Sequence, residues 1–478
     1  MSTLPHSVPL PKVPHRLTAR WQALSPVRRV FAALGAFLSV ILILCGLLIT
    51  IELAASPVLF QSPTDLNGTQ KAPQGTVERG AYLAKVGNCA ACHTARGGEA
   101  FAGGKAIHTP FGAVYTSNIT PDGATGIGRW SAEAFYRAMH EGRSADGHLL
   151  TPAFPYPNYT HVSRADSDAL YAYFMQGVAP VAQANRAHEL PFPFNTQIAL
   201  AVWRLMFFEK DNASATENMA ASAIFQGSTA SKSRTNTTEV ERGAYLVRGL
   251  GHCSACHAQR NALGATAQDQ LLSGALMPMQ DWYAPSLMDP SQAGVMHWPA
   301  QDVVALLKTG IAPHASVAGP MAEVVAKSTQ YWSDADLQAT AAYLQSLPET
   351  PGAPRGKPSQ NAQFYQRGEQ LFTQHCATCH GAQGEGVALA GAVALPALAG
   401  NRAVTMHTSA NLVRILLAGG YAPSTAGNPR PFGMPPFVHV LNDEDIAAVT
   451  TYIRAAWGNQ ADAVTAADVM RHRKGLLP

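Results

Sequence analysis

The pentapeptide Cys-x-x-Cys-His occurs three times in this chain, as Cys89-Ala-Ala-Cys92-His93, Cys253-Ser-Ala-Cys256-His257 and Cys376-Ala-Thr-Cys379-His380. Two thiols three residues apart on a helical turn can each add to one vinyl group of a haem. The histidine beside the second can then ligate the iron. Six of the seven cysteines are used in this way, leaving Cys45. Other chemistries fit less well. A four-thiolate zinc site would join two motifs, orphan the third and leave three histidines unexplained. A redox dithiol would need a strand before each motif and a helix after it, whereas helical stretches precede these. Disulfides between cysteines so close in sequence are strained. The motifs therefore predict three covalent c-type haems on Cys89, Cys92, Cys253, Cys256, Cys376 and Cys379, with His93, His257 and His380 as iron ligands.

With 478 residues, 47% hydrophobic and 14% charged, the chain has the composition of a globular protein. The net charge of +3 and the lack of a basic stripe outside the N-terminus argue against a nucleic-acid partner. Val30 to Ile51 contains no charged residue. That run is long enough to span a bilayer, and exceeds the roughly 7–15 apolar residues of a secretory signal. Lys12, Arg16, Arg20, Arg28 and Arg29 precede it, and Glu52 and Asp65 follow. The positive-inside rule then places residues 1–29 in the cytoplasm and the rest, in a bacterium, in the periplasm. A cleaved signal ending near Ala55 is the rival reading. Leu44 before Cys45 suits a lipidation signal poorly, so Cys45 is read as a packing residue.

The chain repeats itself. Glu78-Arg-Gly-Ala-Tyr-Leu83 and Glu241-Arg-Gly-Ala-Tyr-Leu246 precede the first two motifs, and Arg367-Gly-Glu-Gln-Leu-Phe372 precedes the third. Gly80, Gly243 and Gly368 fall in matching places, where a close helix approach would justify a residue that weakens helices. Downstream, the segments starting at Ser163, Ser333 and Asn442 align without gaps. Each has an N-cap, acidic residues in the first turn, and a tyrosine in register: Tyr173, Tyr343 and Tyr452. Each module thus has a leading helix, a haem motif, a middle of turns and short helices, and a closing helix. This organisation resembles the class I cytochrome c fold, and the expected architecture is mainly α, with three tandem class I cytochrome c-like domains after one transmembrane helix. The boundaries are a cytoplasmic segment 1–29, a transmembrane helix 30–53, domains at 70–190, 236–348 and 363–460, linkers at 191–235 and 349–362, and a C-terminal tail 461–478. That tail, with Arg471, His472, Arg473 and Lys474, is read as a solvated terminus rather than a lipid contact.

The ligand on the far side of each iron is expected upstream of the closing helix. Met434 in Gly433-Met-Pro-Pro436 and Met321 in Gly319-Pro-Met-Ala-Glu323 stand there. In the first module the matching stretch is Pro152-Ala-Phe-Pro-Tyr156, and phenylalanine cannot bind iron. Met139, His140, His148 and His161 are nearby. His148, in a loop, is the choice among them, and an open iron is the other arrangement. A histidine there would lower the potential relative to methionine and create a gradient across the haems.

With Thr109-Pro-Phe-Gly112, Ser117-Asn-Ile-Thr-Pro-Asp122, Gly126-Ile-Gly128, Trp282-Tyr-Ala-Pro285, Gly319-Pro-Met-Ala-Glu-Val-Val325 and Trp457-Gly-Asn459, the chain from about Glu78 to Val469 resembles the three-haem cytochrome c subunits of membrane-bound bacterial dehydrogenases. These serve alcohol, aldehyde, gluconate, sorbitol and fructose oxidation. The resemblance implies iron ligation by Met321 and Met434, a catalytic dehydrogenase subunit, a small iron–sulfur subunit in some complexes, and electron delivery to ubiquinone. The family has methionine where this chain has Phe154. The Pro-Ala-Phe-Pro-Tyr variant and the N-terminal anchor favour an aldehyde dehydrogenase partner. A quinoprotein alcohol dehydrogenase or a flavoprotein sugar or gluconate dehydrogenase is the alternative, and a haem enzyme with an open first haem is another. No dinucleotide fingerprint, P-loop or iron–sulfur thiolate set occurs, so substrate chemistry is expected on another subunit.

Overall fold

The computed structural model describes residues 25–54, 72–210, 234–267, 270–352, 356, 361–389 and 392–473. The apolar run lies in a helix, Pro26–Leu53, capped by Ser25, whose hydroxyl accepts the Arg28 N–H, with proline at the first turn. Its stretch Ala33–Leu53, 21 residues, is long and apolar enough to cross a bilayer, and Cys45 is exposed on it. The preceding basic residues Lys12, Arg16 and Arg20 lie outside the described residues.

From residue 72 onward one arrangement occurs three times. A leading helix packs across a closing helix: Gln74–Val86 on Arg164–Gln176, Arg234–Arg248 on Asp334–Ser346, and Ala362–His375 on Asp443–Ala455. The three matching glycines set these crossings. A Cβ on Gly80 would stand 1.9 Å from the Ala169 carbonyl oxygen, on Gly243 2.0 Å from that of Ala339, and on Gly368 2.2 Å from that of Ala448. The β-carbons of Tyr173, Tyr343 and Tyr452 close the same contacts. Backbone therefore meets backbone, which only glycine permits. The closing helices are capped as expected: Ser163, Ser333 and Asn442 accept from the backbone N–H of Asp166, Asp336 and Asp445.

Each aspartate is also gripped by the arginine just before the glycine. Arg79 meets Asp166 at 3.1 Å, Arg242 meets Asp336 at 2.8 Å and Arg367 meets Asp445 at 2.8 Å. The first two units then exchange tyrosines. Tyr245 donates to Asp166 at 2.7 Å and accepts from the Ser163 N–H, while Tyr82 donates to Asp336 and accepts from the Ser333 N–H. One hydrophobic core runs through both units, joining Leu83, Val86 and Leu170 to Leu246, Leu250 and Trp332. The third unit has its own core around Leu371, Phe372, Leu416, Ile446 and Ile453. It meets the second through polar contacts. Asn411 and the Tyr283 backbone exchange two hydrogen bonds, at 2.7 and 2.8 Å, and Asp281 receives Arg414 and His472.

Three features depart from the sequence reading. The middle of each unit is not only turns and short helices. An antiparallel hairpin follows every motif: Ala106–Thr109 with Gly112–Tyr115, Ala275–Met277 with Trp282–Ala284, and Val387–Leu389 with Ala392–Leu395. These strands are three or four residues long, too short for an alternating pattern to stand out. The stretch read as a linker, 191–235, contains the helix Gln197–Phe207, and the helix Arg234–Arg248 begins before its end. The C-terminal tail is not a free solvated end. Ala466–Arg473 is a helix with Val469 buried, and Arg473 bonds Asp443 and the Val438 and Leu441 carbonyls. Lys474 lies outside the described residues.

Candidate haem sites

Each Cys-x-x-Cys-His motif is a single helical turn at the end of a leading helix: Cys89–His93, Ser254–His257 and Ala377–His380. None of the six motif cysteines is in a disulfide. Burial pushes Cys89, Cys253 and Cys376 up to about 12, helped by the second thiol of each pair.

The histidines share one geometry. Nδ1 of His93 lies 2.7 Å from the Ser117 carbonyl oxygen, that of His257 2.7 Å from Pro285 O, and that of His380 3.0 Å from Pro396 O. A carbonyl only accepts, so Nδ1 carries the proton and Nε2 keeps its lone pair. Burial lowers the pKa of all three rings, which favours the neutral form. A neutral imidazole whose other nitrogen is fixed by a backbone carbonyl is the state a metal needs.

The hairpins make this possible. Each accepting carbonyl comes one or two residues after the second strand. A glycine ties the histidine's own backbone to the same place: Gly103, Gly274 and Gly386 donate their N–H to the carbonyls of His93, His257 and His380 at 2.7, 2.7 and 2.8 Å. All three glycines have φ near +80°. A Cβ would fall 2.5 Å from Ser117 C, 3.0 Å from Pro285 C and 3.0 Å from Pro396 C, the backbone that holds each ring. Sequence reasoning missed these glycines and carbonyls. No sequence signal marks them: the glycine stands 10 residues after His93, 17 after His257 and 6 after His380, so only the fold aligns it.

On the far side, Met434 is half-buried in a two-residue strand pairing with Gly420–Tyr421, packed on the third core. Met321 is the second residue of the helix Pro320–Lys327, between exposed and buried. In the first unit, Phe154 packs into the shared core edge-on to Tyr159, with centroids 5.3 Å apart. Tyr159 is buried beside Cys89 and Cys92, and burial raises its pKa well above the usual value. Met139 is a core residue and His140 is buried, with both ring nitrogens at the Tyr136 and Val162 carbonyls. His148 is half exposed, its Nδ1 on the Asp146 carboxylate at 2.5 Å.

The residues fit covalent haem: in each unit two cysteines three residues apart stand beside an imidazole whose Nδ1 is held and whose Nε2 is available, next to a hydrophobic core. A cytochrome c family model matches residues 365–457. The cytochrome c subunit of the quinone-type alcohol dehydrogenase of Gluconacetobacter polyoxogenes is 38% identical over 452 residues, covering 90% of each chain. The gluconate 2-dehydrogenase cytochrome c subunit of Pantoea cypripedii is 38% identical over 421 residues, 84% of this chain and 91% of the relative. The fructose dehydrogenase cytochrome subunit of Gluconobacter japonicus is 34% identical over 452 residues, 89% and 88% of the two chains. Repeated motif, histidine geometry and similarity over nearly the full length converge: this chain belongs to the family of cytochrome c subunits of bacterial alcohol, gluconate and fructose dehydrogenases.

Proposed function

We propose that this chain is the electron-transfer subunit of a periplasmic dehydrogenase complex, carrying three c-type haems and delivering electrons to ubiquinone in the membrane its N-terminal helix spans. The observation that carries the count of three is the threefold recurrence of one set: two cysteines, a histidine with Nδ1 on a carbonyl, and a glycine whose N–H bonds that histidine's own carbonyl. Bound haem supplies a reversible one-electron Fe(III)/Fe(II) couple. The chain's own part is to attach each ring through Cys89 and Cys92, Cys253 and Cys256, or Cys376 and Cys379. His93, His257 and His380 hold the near side, and Met321 and Met434 are assigned to the far side of the second and third. Three tandem cytochrome c-like units at 70–190, 236–348 and 363–460 follow from the same recurrence.

The catalytic partner oxidises the substrate, and we favour an aldehyde dehydrogenase, with a small iron–sulfur subunit, on the strength of the Pro152-Ala-Phe-Pro-Tyr156 variant. The named relatives serve alcohol, gluconate and fructose dehydrogenases, so those partners are the alternative. For the first haem, His148 is the proposed far-side ligand. The Asp146 carboxylate on Nδ1 leaves Nε2 available, as in carboxylate-oriented metal histidines. A second reading leaves that iron open, favoured by the apolar Phe154 at the matching place.

The test is purification of the chain with its partners in mild detergent. Pyridine haemochrome analysis is expected to give three haems per chain, and two after Cys253→Ser with Cys256→Ser. One or two haems in the unaltered chain would overturn the count. Quinone reduction driven by ethanal, rather than ethanol or gluconate, would uphold the aldehyde partner. A carbon monoxide shift in the reduced spectrum would favour the open iron over His148.

A further inference from the structure

The helix Gln197–Phe207 is inverted relative to an ordinary surface helix. Its inner side carries Ala201 and a charged residue, Arg204, which is buried, bonds the Glu141 carbonyl and lies over the Tyr156 and Phe208 rings. Its exposed side carries Ile198, Leu205 and Met206, 58%, 46% and 52% exposed, the last two lying two turns after the first. The chain leading into it adds Phe192, 82% exposed, and Phe194, 37% exposed. A helix facing water places these groups the other way round.

The polar groups along this face are already satisfied within the chain. Thr196 caps the helix by accepting the Ala199 N–H. Gln197 exchanges hydrogen bonds with the Leu149 backbone, and Trp203 donates its indole N–H to the Leu263 carbonyl at 2.9 Å. A protein partner is ordinarily met by a surface about as polar as any other, with about one hydrogen bond per 100–200 Å². This face offers apolar area and satisfied polar groups, which is what the acyl region of a bilayer accepts. The helix has 11 residues, about 16 Å at 1.5 Å per residue, too short to cross and suited to lying in the interface. Residues 55–71 are all the chain between the apolar span and the haem-bearing part, at most about 60 Å when extended. A bilayer holding that span is therefore tethered within about 60 Å of residue 72, which raises its effective concentration at the haem-bearing part.

We propose that Phe192, Phe194 and the outer face of Gln197–Phe207 form a monotopic contact with the lipid surface, seated at the level of the headgroups and first acyl carbons. The proposal rests on the reading of Ala33–Leu53 as a membrane anchor. It is tested on the full-length, haem-loaded chain in phosphatidylcholine–phosphatidylglycerol nanodiscs. Nitroxide labels are placed one at a time at Ile198→Cys, Leu205→Cys and Ala187→Cys in a Cys45→Ser background, and at native Cys45 in the unaltered chain. Power saturation then compares relaxation by oxygen, enriched among acyl chains, with a water-soluble nickel chelate. The expected result is an oxygen-to-nickel ratio several-fold higher at 198 and 205 than at 187, an exposed residue that is not among those assigned to the face. Water-like ratios at 198 and 205 with a lipid-like ratio at Cys45 would overturn the proposal and leave the anchor standing. Exclusion of both relaxants at 198 and 205 would overturn it in favour of a protein cover. A water-like Cys45 would remove the anchor reading, and the face would then be judged by its own ratios.

Discussion

The first two units and the third are built from the same parts and joined by different ones. All three have the glycine crossing, the capped closing helix and the arginine on its aspartate. Only the first two share a core and exchange tyrosines across it. At the place of Tyr82 and Tyr245 the third unit has Gln370, which is exposed, and it meets the second unit through the Asn411 and Asp281 contacts. The difference separates two jobs within the repeat. The glycine, cap and Arg–Asp pair make a unit, and the tyrosine two residues past the glycine decides whether units fuse. Fusion by a buried apolar core is strong and permanent, whereas a polar seam of hydrogen bonds contributes roughly 1 kcal/mol per bond. Thus the first two units are joined through a buried core, and the third through a polar seam that also includes the Arg402 N–H on the His314 carbonyl, Asn401 on Ser316 and Gln330 on the Ser424 carbonyl.

The largest expected effect strikes the part all units share. Gly243→Ala puts a Cβ 2.0 Å from the Ala339 carbonyl oxygen, and backbone on both sides prevents a cheap adjustment. A cost of about 3 kcal/mol is expected, at the upper end for overpacking. Urea unfolding followed by far-ultraviolet circular dichroism would measure it. Because the second unit shares its core with the first, both should unfold in the weakened transition. Loss confined to the second unit would break the picture of one fused body.

Next comes the exchange itself. Tyr245→Phe removes a hydrogen bond to a carboxylate that is 12% exposed and leaves the Ser163 N–H without its acceptor. The expected loss is about 2 kcal/mol, within the range for hydrogen bonds to charged groups. A double-mutant cycle with Asp166→Asn isolates the pair. Coupling below about 0.5 kcal/mol would mean the shared core alone holds the two units together.

Acid sharpens the comparison further. Burial raises the Asp336 pKa, but hydrogen bonds from Arg242 and Tyr82 more than reverse this, so its folded value lies below the ordinary one. A depressed carboxylate stabilises the fold fully above its unfolded value, near 3.9, and that contribution disappears as pH falls through the folded value. Tyr82→Phe removes one of the lowering bonds. Its acid-unfolding midpoint should therefore move to higher pH, while Arg367→Lys in the third unit should leave the transition of the first two units in place. An unchanged midpoint in Tyr82→Phe would show that Arg242 alone sets the shift.

Much of this was legible from the chain, because the repeat reports packing three times over. Gly80, Gly243 and Gly368 were conspicuous as helix-weakening residues in register, and the close approach inferred for them is the contact observed. The caps at Ser163, Ser333 and Asn442 were equally plain, since a cap needs only local sequence. What escaped notice depends on distant chain segments. The Ser117, Pro285 and Pro396 carbonyls are backbone atoms whose distance from their histidines varies from 16 to 28 residues, so no motif encodes them. Tyr82 and Tyr245 stand inside the repeated Glu-Arg-Gly-Ala-Tyr-Leu segments, yet their hydroxyls serve the neighbouring unit. The tail read as solvated is fixed by Arg473 on Asp443, a pairing across 30 residues that charge composition alone cannot reveal.

The smallest expected effect is the most discriminating. Gln370→Ala should change stability by less than about 0.5 kcal/mol, the usual range for an exposed helical position with nothing to lose. Its carboxylate counterpart, Asp445, keeps Arg367 at 2.8 Å and the cap from Asn442, neither of which involves residue 370. The same deletion in the first two units, where a tyrosine stands, would be felt on both sides of the shared core. Equal losses from Gln370→Ala and Tyr245→Phe would mean that the third unit's face is covered in the assembled protein, and the contrast between a fused pair and a docked third would fail. A silent Gln370→Ala beside a costly Tyr245→Phe assigns fusion to one side chain, and makes Gln370→Tyr the substitution with which to ask whether that face can be given a partner.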